Sequence, residues 1–150
     1  MLKVGDKAPS FSAVDQSGKT VSLSDFKGKS VVLYFYPRDL TPGCTVEARG
    51  FESAQVALRK KGAVVLGVSK DSSATHKKFA EKQGLTFPLL ADESGTIVKA
   101  YGAWGEKSLY GKKYMGILRI TYLIGPDGKI AAVFPKVKPA EHPADVLAAL

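Results

Sequence analysis

Two kinds of hydrophobic pattern alternate along the chain. Residues 30–36 are apolar or aromatic almost without a break, which suits a central strand buried on both faces. Residues 63–68 repeat that pattern. Between the two runs, Val46, Ala48, Phe51, Ala54, Val56, Ala57 and Leu58 punctuate a helical stretch ending near Gly62. Upstream, residues 11–14 and 20–23 flank Asp15-Gln16-Ser17-Gly18 and read as a short β-hairpin. Downstream, Ser72 or Ser73 caps a helix running through Gly84. Residues 87–90 are short and extended, and a short helix is expected near 94–100. Residues 101–116, rich in glycine and lysine, read as a long loop. A strand over 117–124 turns at Gly125-Pro126-Asp127-Gly128 and returns antiparallel over 129–134. An apolar helix over 144–150 closes the chain.

This order (hairpin, β-α-β-α, antiparallel hairpin, helix) predicts an α/β protein with a central mixed β-sheet flanked by helices. The pattern resembles a thioredoxin-like fold with an N-terminal β-hairpin. At 150 residues, 45% of them hydrophobic, the chain is expected to form one domain over residues 1–150. No apolar run reaches the ~20 residues that span a bilayer, and the first residues lack the apolar core of a signal peptide. A cytoplasmic protein without membrane contact is expected. The formal charge of +8 would suit nucleic acid. Its lysines are spread in pairs, such as Lys27 and Lys29, Lys60 and Lys61, Lys112 and Lys113, which suits a solvated surface better than one binding stripe. No specific nucleic-acid partner is expected.

The chemistry concentrates at Cys44, the only cysteine. One cysteine excludes an internal disulfide and a cysteine-built metal cluster, and His76 and His142 show no ligand-like spacing. No metal is expected. The glycines lie scattered in turns rather than as a dinucleotide fingerprint, so no cofactor is expected either. Cys44 follows a strand and the turn Thr41-Pro42-Gly43, where a helix should begin. Unpaired N–H groups and the positive end of the helix dipole there favour a thiolate. A buried, inert cysteine is the competing reading; the polar turn argues for the reactive one. Thr41 stands three residues before the sulfur, either as a hydroxyl for a small polar substrate or as a helix cap.

The stretch from Tyr36 through Pro37, Thr41, Gly43 and Cys44 to Ala48 resembles the peroxidatic motif of peroxiredoxins of the bacterioferritin comigratory protein (PrxQ) type. The similarity extends through Gly5-Asp6-Lys7-Ala8-Pro9, residues 68–72, residues 87–92 and residues 101–122, essentially the whole chain. The resemblance implies a thiol peroxidase that reduces hydrogen peroxide and organic hydroperoxides. It assigns Cys44 as the peroxidatic cysteine, Thr41 as its hydroxyl partner, Pro37 as the shield of the site and Arg119 as the catalytic arginine. Arg119 is permanently cationic and presents a planar fork of donors. With Thr41 and the N–H groups near Gly43 and Cys44 it would form a donor cage around the breaking O–O bond. Glu47 either supports the arginine or is a solvated helix charge. Trp104 and Tyr36 are read as packing residues, with Trp104 also placed to flank the pocket.

Many members of this branch carry a resolving cysteine five residues after the peroxidatic one; here that position is Arg49. Others place it in the helix that here runs through Lys82-Gln83-Gly84. Both sites lack it, so the implied cycle uses one cysteine and an external thiol from thioredoxin, glutaredoxin or a small molecule, in a monomer or weak dimer. Two other readings stand beside the enzyme: a peroxide-sensing thiol protein that relays oxidation to a partner, and a basic interaction module in which Cys44 is incidental.

Overall fold

In the computed structural model, which describes residues 1–150, the centre is strand β3 (Ser30–Phe35). It lies parallel to β4 (Ala63–Ser69) on one side and antiparallel to β8 (Thr121–Ile124) on the other. Strand β5 (Leu89–Ala91) extends the parallel edge and β9 (Ile130–Phe134) the antiparallel one, giving the order β5-β4-β3-β8-β9. The unbroken apolarity of β3 now has its reason. Val31, Leu33 and Phe35 point into one core layer while Val32, Tyr34 and Tyr36 point into the other, because successive strand residues face opposite sides. The expected mixed sheet between helices is present.

Helix α1 (Pro42–Lys60), α2 (Ser73–Gln83) and α4 (His142–Ala148) supply the layer around Tyr34 and Phe51, while α3 (Thr96–Ala100) supplies Ile97 and Val98 to the opposite layer. Ser72 is the cap of α2, its Oγ accepting from the Thr75 N–H at 3.1 Å, and Gly84 ends it at φ 66°. The N-terminal hairpin forms as expected from β1 (Ser12–Val14) and β2 (Thr20–Ser22). No helix is long and apolar enough to cross a membrane.

Three boundaries differ from the sequence reading. The expected loop over 101–116 is instead mostly a second hairpin, β6 (Trp104–Leu109) paired with β7 (Lys112–Ile117). Its two-residue turn holds Tyr110 at φ 51° and Gly111 at φ 78°, the geometry of a type I′ turn. Tyrosine at the first of these positions hides a signal usually carried by asparagine or glycine. Second, the strand expected over 117–124 is divided: Ile117 ends β7, and β8 begins only at Thr121, leaving Arg119 in the connection. Third, the last helix starts at His142 rather than residue 144, with Pro143 in its first turn, a position where the missing N–H costs nothing.

Helix α4 packs on α1. A Cβ at Gly50 would stand 2.7 Å from Pro143 Cγ, so this crossing needs glycine. His142 is buried between Phe51 and Phe134 and shares a 2.7 Å hydrogen bond with Thr121 Oγ1. Burial lowers its pKa from 6.5 to about 4, against a small opposing pull from Asp145. Between those two values the unfolded chain binds a proton that the folded protein refuses, so stability falls as pH falls through that window. His142→Gln removes the titration. Its melting temperature should therefore drop less than the wild type's between pH 7 and pH 5, by a few degrees for a ~1–2 kcal/mol effect; thermal melts of both proteins at the two pH values check this.

Candidate active site

Strand β8 runs antiparallel to β3, so its beginning meets the end of β3, where the chain leaves for α1. That single fact brings Arg119 to Cys44 across 75 residues. Arg119 Nη2 donates to Cys44 Sγ at 3.1 Å, and Arg119 Nη1 donates to Glu47 Oε1 at 3.1 Å. Cys44 and Glu47 lie one helical turn apart on the buried face of α1, so one guanidinium spans both. A cation this close stabilises negative charge on sulfur.

Helix α1 begins at Pro42, which lacks the N–H that a first helical residue would leave unpaired. Cys44 is therefore its third residue, inside the first turn. By helix geometry the N–H groups of Gly43 and Cys44 have no carbonyl one turn back and remain as donors. The expectation that a polar turn would keep Cys44 out of the core is overturned: it is 1% exposed and packs with Tyr34, Tyr36 and Phe51. The turn residues face outward while the third helical position faces the sheet. Burial and a cationic neighbour coexist at this sulfur.

Glu47 is not a solvated helix charge. It is fully buried, with Oε2 lacking a hydrogen-bond partner. Desolvation raises its pKa from 4.5 to about 7, and the attraction and hydrogen bond of Arg119 only partly offset that. The ion pair seen in the geometry is thus one that burial works against, as expected for charges withdrawn from water. Thr41 does not cap α1. Its Oγ1 donates to the Arg38 carbonyl at 2.9 Å, while its own carbonyl accepts from the Thr45 N–H and hydroxyl. Pro37 is half-buried just past the end of β3, in the loop leading to α1.

Sequence reasoning missed four residues around the site. Lys107 of β6 is part-buried, donates from Nζ to the Ile117 carbonyl at 2.9 Å, and has its pKa lowered by burial and then by Arg119, with Cys44 opposing. Tyr34 stacks on Phe51, and its buried hydroxyl has no partner. Asp39 and His76 form a buried pair beneath the loop before α1. None of these shares a local pattern with Cys44. Trp104 packs beneath the Lys70 ammonium at 4.7 Å, in keeping with its reading as a packing residue. A cavity of about 620 Å³ lies elsewhere, bordered by Lys7, Phe26, Lys29, Val31 and Ile124. A small substrate reaching a sulfur needs no such volume, so the chemistry locates the site and the cavity does not.

The AhpC/TSA family profile matches residues 4–133. Peroxiredoxin Bcp of Escherichia coli K12 is 50% identical over 94% of this chain and 90% of its own; that of Bacillus subtilis is 44% identical over 99% and 95%. The chain belongs to the AhpC/TSA family, as a peroxiredoxin of the Bcp/PrxQ type. The bacterioferritin comigratory protein of Xanthomonas campestris superposes with a TM-score of 0.88 at 40% identity, over 93% of this peroxiredoxin and 88% of the other chain. The fold is accordingly thioredoxin-like, and the protein is a thiol peroxidase that reduces peroxides.

Two substitutions probe the peroxiredoxin's geometry. A Cβ at Gly43 would stand 2.9 Å from Arg119 Nη2. Gly43→Ala should therefore keep the helix, since alanine is the better helix former, yet displace the guanidinium from sulfur. Peroxide reduction should fall at least ~10-fold with unchanged far-ultraviolet circular dichroism. Glu47→Gln tests the buried carboxyl. From pH 4.5 to about 7 the unfolded chain releases a proton that folded Glu47 retains, so rising pH costs the wild type stability. The melting-temperature difference, variant minus wild type, should become more positive between pH 5 and pH 8.

Proposed function

We propose that this peroxiredoxin works as a one-cysteine peroxidase on hydrogen peroxide and organic hydroperoxides, with Cys44 as nucleophile and an external thiol as reductant. The observation carrying this reading is the Arg119 Nη2 to Cys44 Sγ contact of 3.1 Å, braced from behind by Glu47. The thiolate attacks the terminal oxygen of the peroxide. An S–O bond forms, the O–O bond breaks, and the departing oxygen takes a proton to leave as water or an alcohol. Arg119 stabilises the sulfur's charge first and the leaving oxygen's charge next. The free N–H groups of Gly43 and Cys44 and the Thr41 hydroxyl, once turned from the Arg38 carbonyl, complete the donor set. Pro37 shields the sulfur from bulk water, and Glu47 acts as a positioning residue for Arg119.

The sulfenic acid on Cys44 then condenses with an external thiol, releasing water, and a second thiol exchanges to restore Cys44. Thioredoxin, glutaredoxin and small thiols supply that chemistry, in the cytoplasm, to a single domain acting as a monomer or weak dimer. Organic hydroperoxides are included because the Xanthomonas relative is described by its alkyl peroxide reduction activity. A one-cysteine cycle leaves α1 intact. Position 49, where many relatives carry a resolving cysteine, is an exposed arginine, and residues five apart on a helix stand ~8–9 Å apart at Cα, beyond the ~7 Å limit of a disulfide. The helix has no need to unwind.

Mass spectrometry after one equivalent of hydrogen peroxide, with and without a sulfenic-acid trap, tests the reading. The trap adduct should sit on Cys44, and Cys44→Ser should consume no peroxide. Amide exchange in α1 should stay protected in the oxidised protein. Peroxide turnover by Cys44→Ser, or melting of α1 on oxidation, sinks the corresponding half of the proposal.

A further inference from the structure

The loop over 37–41 carries the chain from β3 into the turn that holds Cys44, and it is fastened by buried hydrogen bonds. Asp39 is 3% exposed and His76, on α2, is 0% exposed. His76 Nδ1 lies 2.6 Å from Asp39 Oδ2, and His76 Nε2 lies 2.9 Å from the Leu90 carbonyl oxygen. Both ring nitrogens thus have a hydrogen-bond partner, which fixes the ring in place. The Tyr36 hydroxyl donates to the other carboxylate oxygen of Asp39 at 2.6 Å. The Asp39 backbone N–H donates to Asp71 Oδ2 at 2.9 Å. Asp39, Asp71 and His76 converge as metal ligands would. However, the 2.6 Å separation is a hydrogen-bond length, shorter than the ~3.3 Å between two ligand atoms on a tetrahedral zinc.

The next residue shows what this fastening opposes. Leu40 adopts φ 65°, a left-handed conformation that is strained for a bulky side chain. Such strain persists only where the surroundings over-determine it. The Leu40 side chain is 48% exposed, so its own packing does not hold it. Asp39 on one side and the Thr41 carbonyl, bonded to Thr45, on the other do. We infer that Asp39 and His76 are a positioning pair for the peroxidase reaction. They hold the 37–41 loop in its strained path, so that Thr41 and the first turn of α1 present their donors to a peroxide at Cys44. The inference rests on the reading of Cys44 as the nucleophile. The pair acts through the loop and touches no reacting atom.

A positioning role separates two reactions of the same sulfur. Attack on a peroxide depends on donors placed around the leaving oxygen, whereas alkylation by iodoacetamide depends on the sulfur and its access. In His76→Ala and Asp39→Ala, the rate of Cys44 oxidation by hydrogen peroxide in stopped flow should fall about 10-fold or more, as for a small misplacement of catalytic groups. Alkylation at the same pH should change by less than about twofold. Asp39→Asn keeps an acceptor for Tyr36 and can donate to a neutral His76, so it should retain the peroxide rate within about threefold. Asp71→Ala loosens the same loop from a half-buried site without opening the core, and should lower the peroxide-to-alkylation ratio even where a core variant fails to fold. The pair is refuted if folded Asp71→Ala and His76→Ala keep that ratio, or if Asp39→Asn is as slow as Asp39→Ala. The wild type and Cys44→Ser run alongside: if both consume peroxide, it is the assignment of Cys44 that fails.

Discussion

One guanidinium held against one sulfur is the constraint on which the site depends. Arg119 reaches Cys44 only because β8 runs antiparallel to β3 and starts where β3 ends. It can lie flat there only because Gly43 has no side chain. It is aimed because Glu47, one turn along α1, holds its other nitrogen. Each requirement belongs to a different level of the structure: sheet topology, helix geometry and the chemistry of a buried pair. Loss of any one would loosen or misplace the guanidinium at a sulfur packed in an apolar core.

The electrostatics of this arrangement are finely opposed. Burial raises Glu47 to about 7 even beside its arginine, so near neutral pH the carboxyl is divided between two protonation states. A fully charged Glu47 would draw more strongly on Arg119 and compete with sulfur for its field. A neutral one leaves more of that field to Cys44. Tyr34, with an unpaired hydroxyl beneath the same group, stays neutral because burial and the nearby carboxylates push its pKa well above 10. The Glu47 carboxyl and the Tyr34 hydroxyl are withdrawn from water, and in such surroundings an interaction is stronger than it would be at the surface.

What could be read from the chain was whatever is local or periodic. The strand over 30–36, the proline that opens the helix and the placement of Cys44 all announce themselves within a few residues. Glu47 shares a helix face with Cys44 by spacing alone, but its full burial depends on the sheet above it. The second hairpin went unread because its residues are polar and its turn pairs tyrosine with glycine. The burial of Cys44 went unread for another reason: a turn's composition describes the residues facing water, while the third helical residue faces inward. Asp39 and His76 were invisible because 37 residues separate them, and only the parallel packing of β3 and β4, with α2 beside them, makes them neighbours.

Two separate devices then fix the two ends of the cysteine's surroundings. On one side Asp39 ties the 37–41 loop to His76 of α2 and to Asp71 in the connection between β4 and α2. On the other, α4 presses Pro143 onto Gly50, where no side chain fits. An enzyme that had to close an intrahelical disulfide at every turnover would break such restraints each time. One that passes its oxidation to an external thiol has no such cost, and rigidity then favours the reaction, since donors already in place need not be reorganised as the O–O bond parts. On the proposed cycle, the arginine at position 49 and the tight packing of α1 express one design: the sulfur waits in a fixed cage, and the partner comes to it.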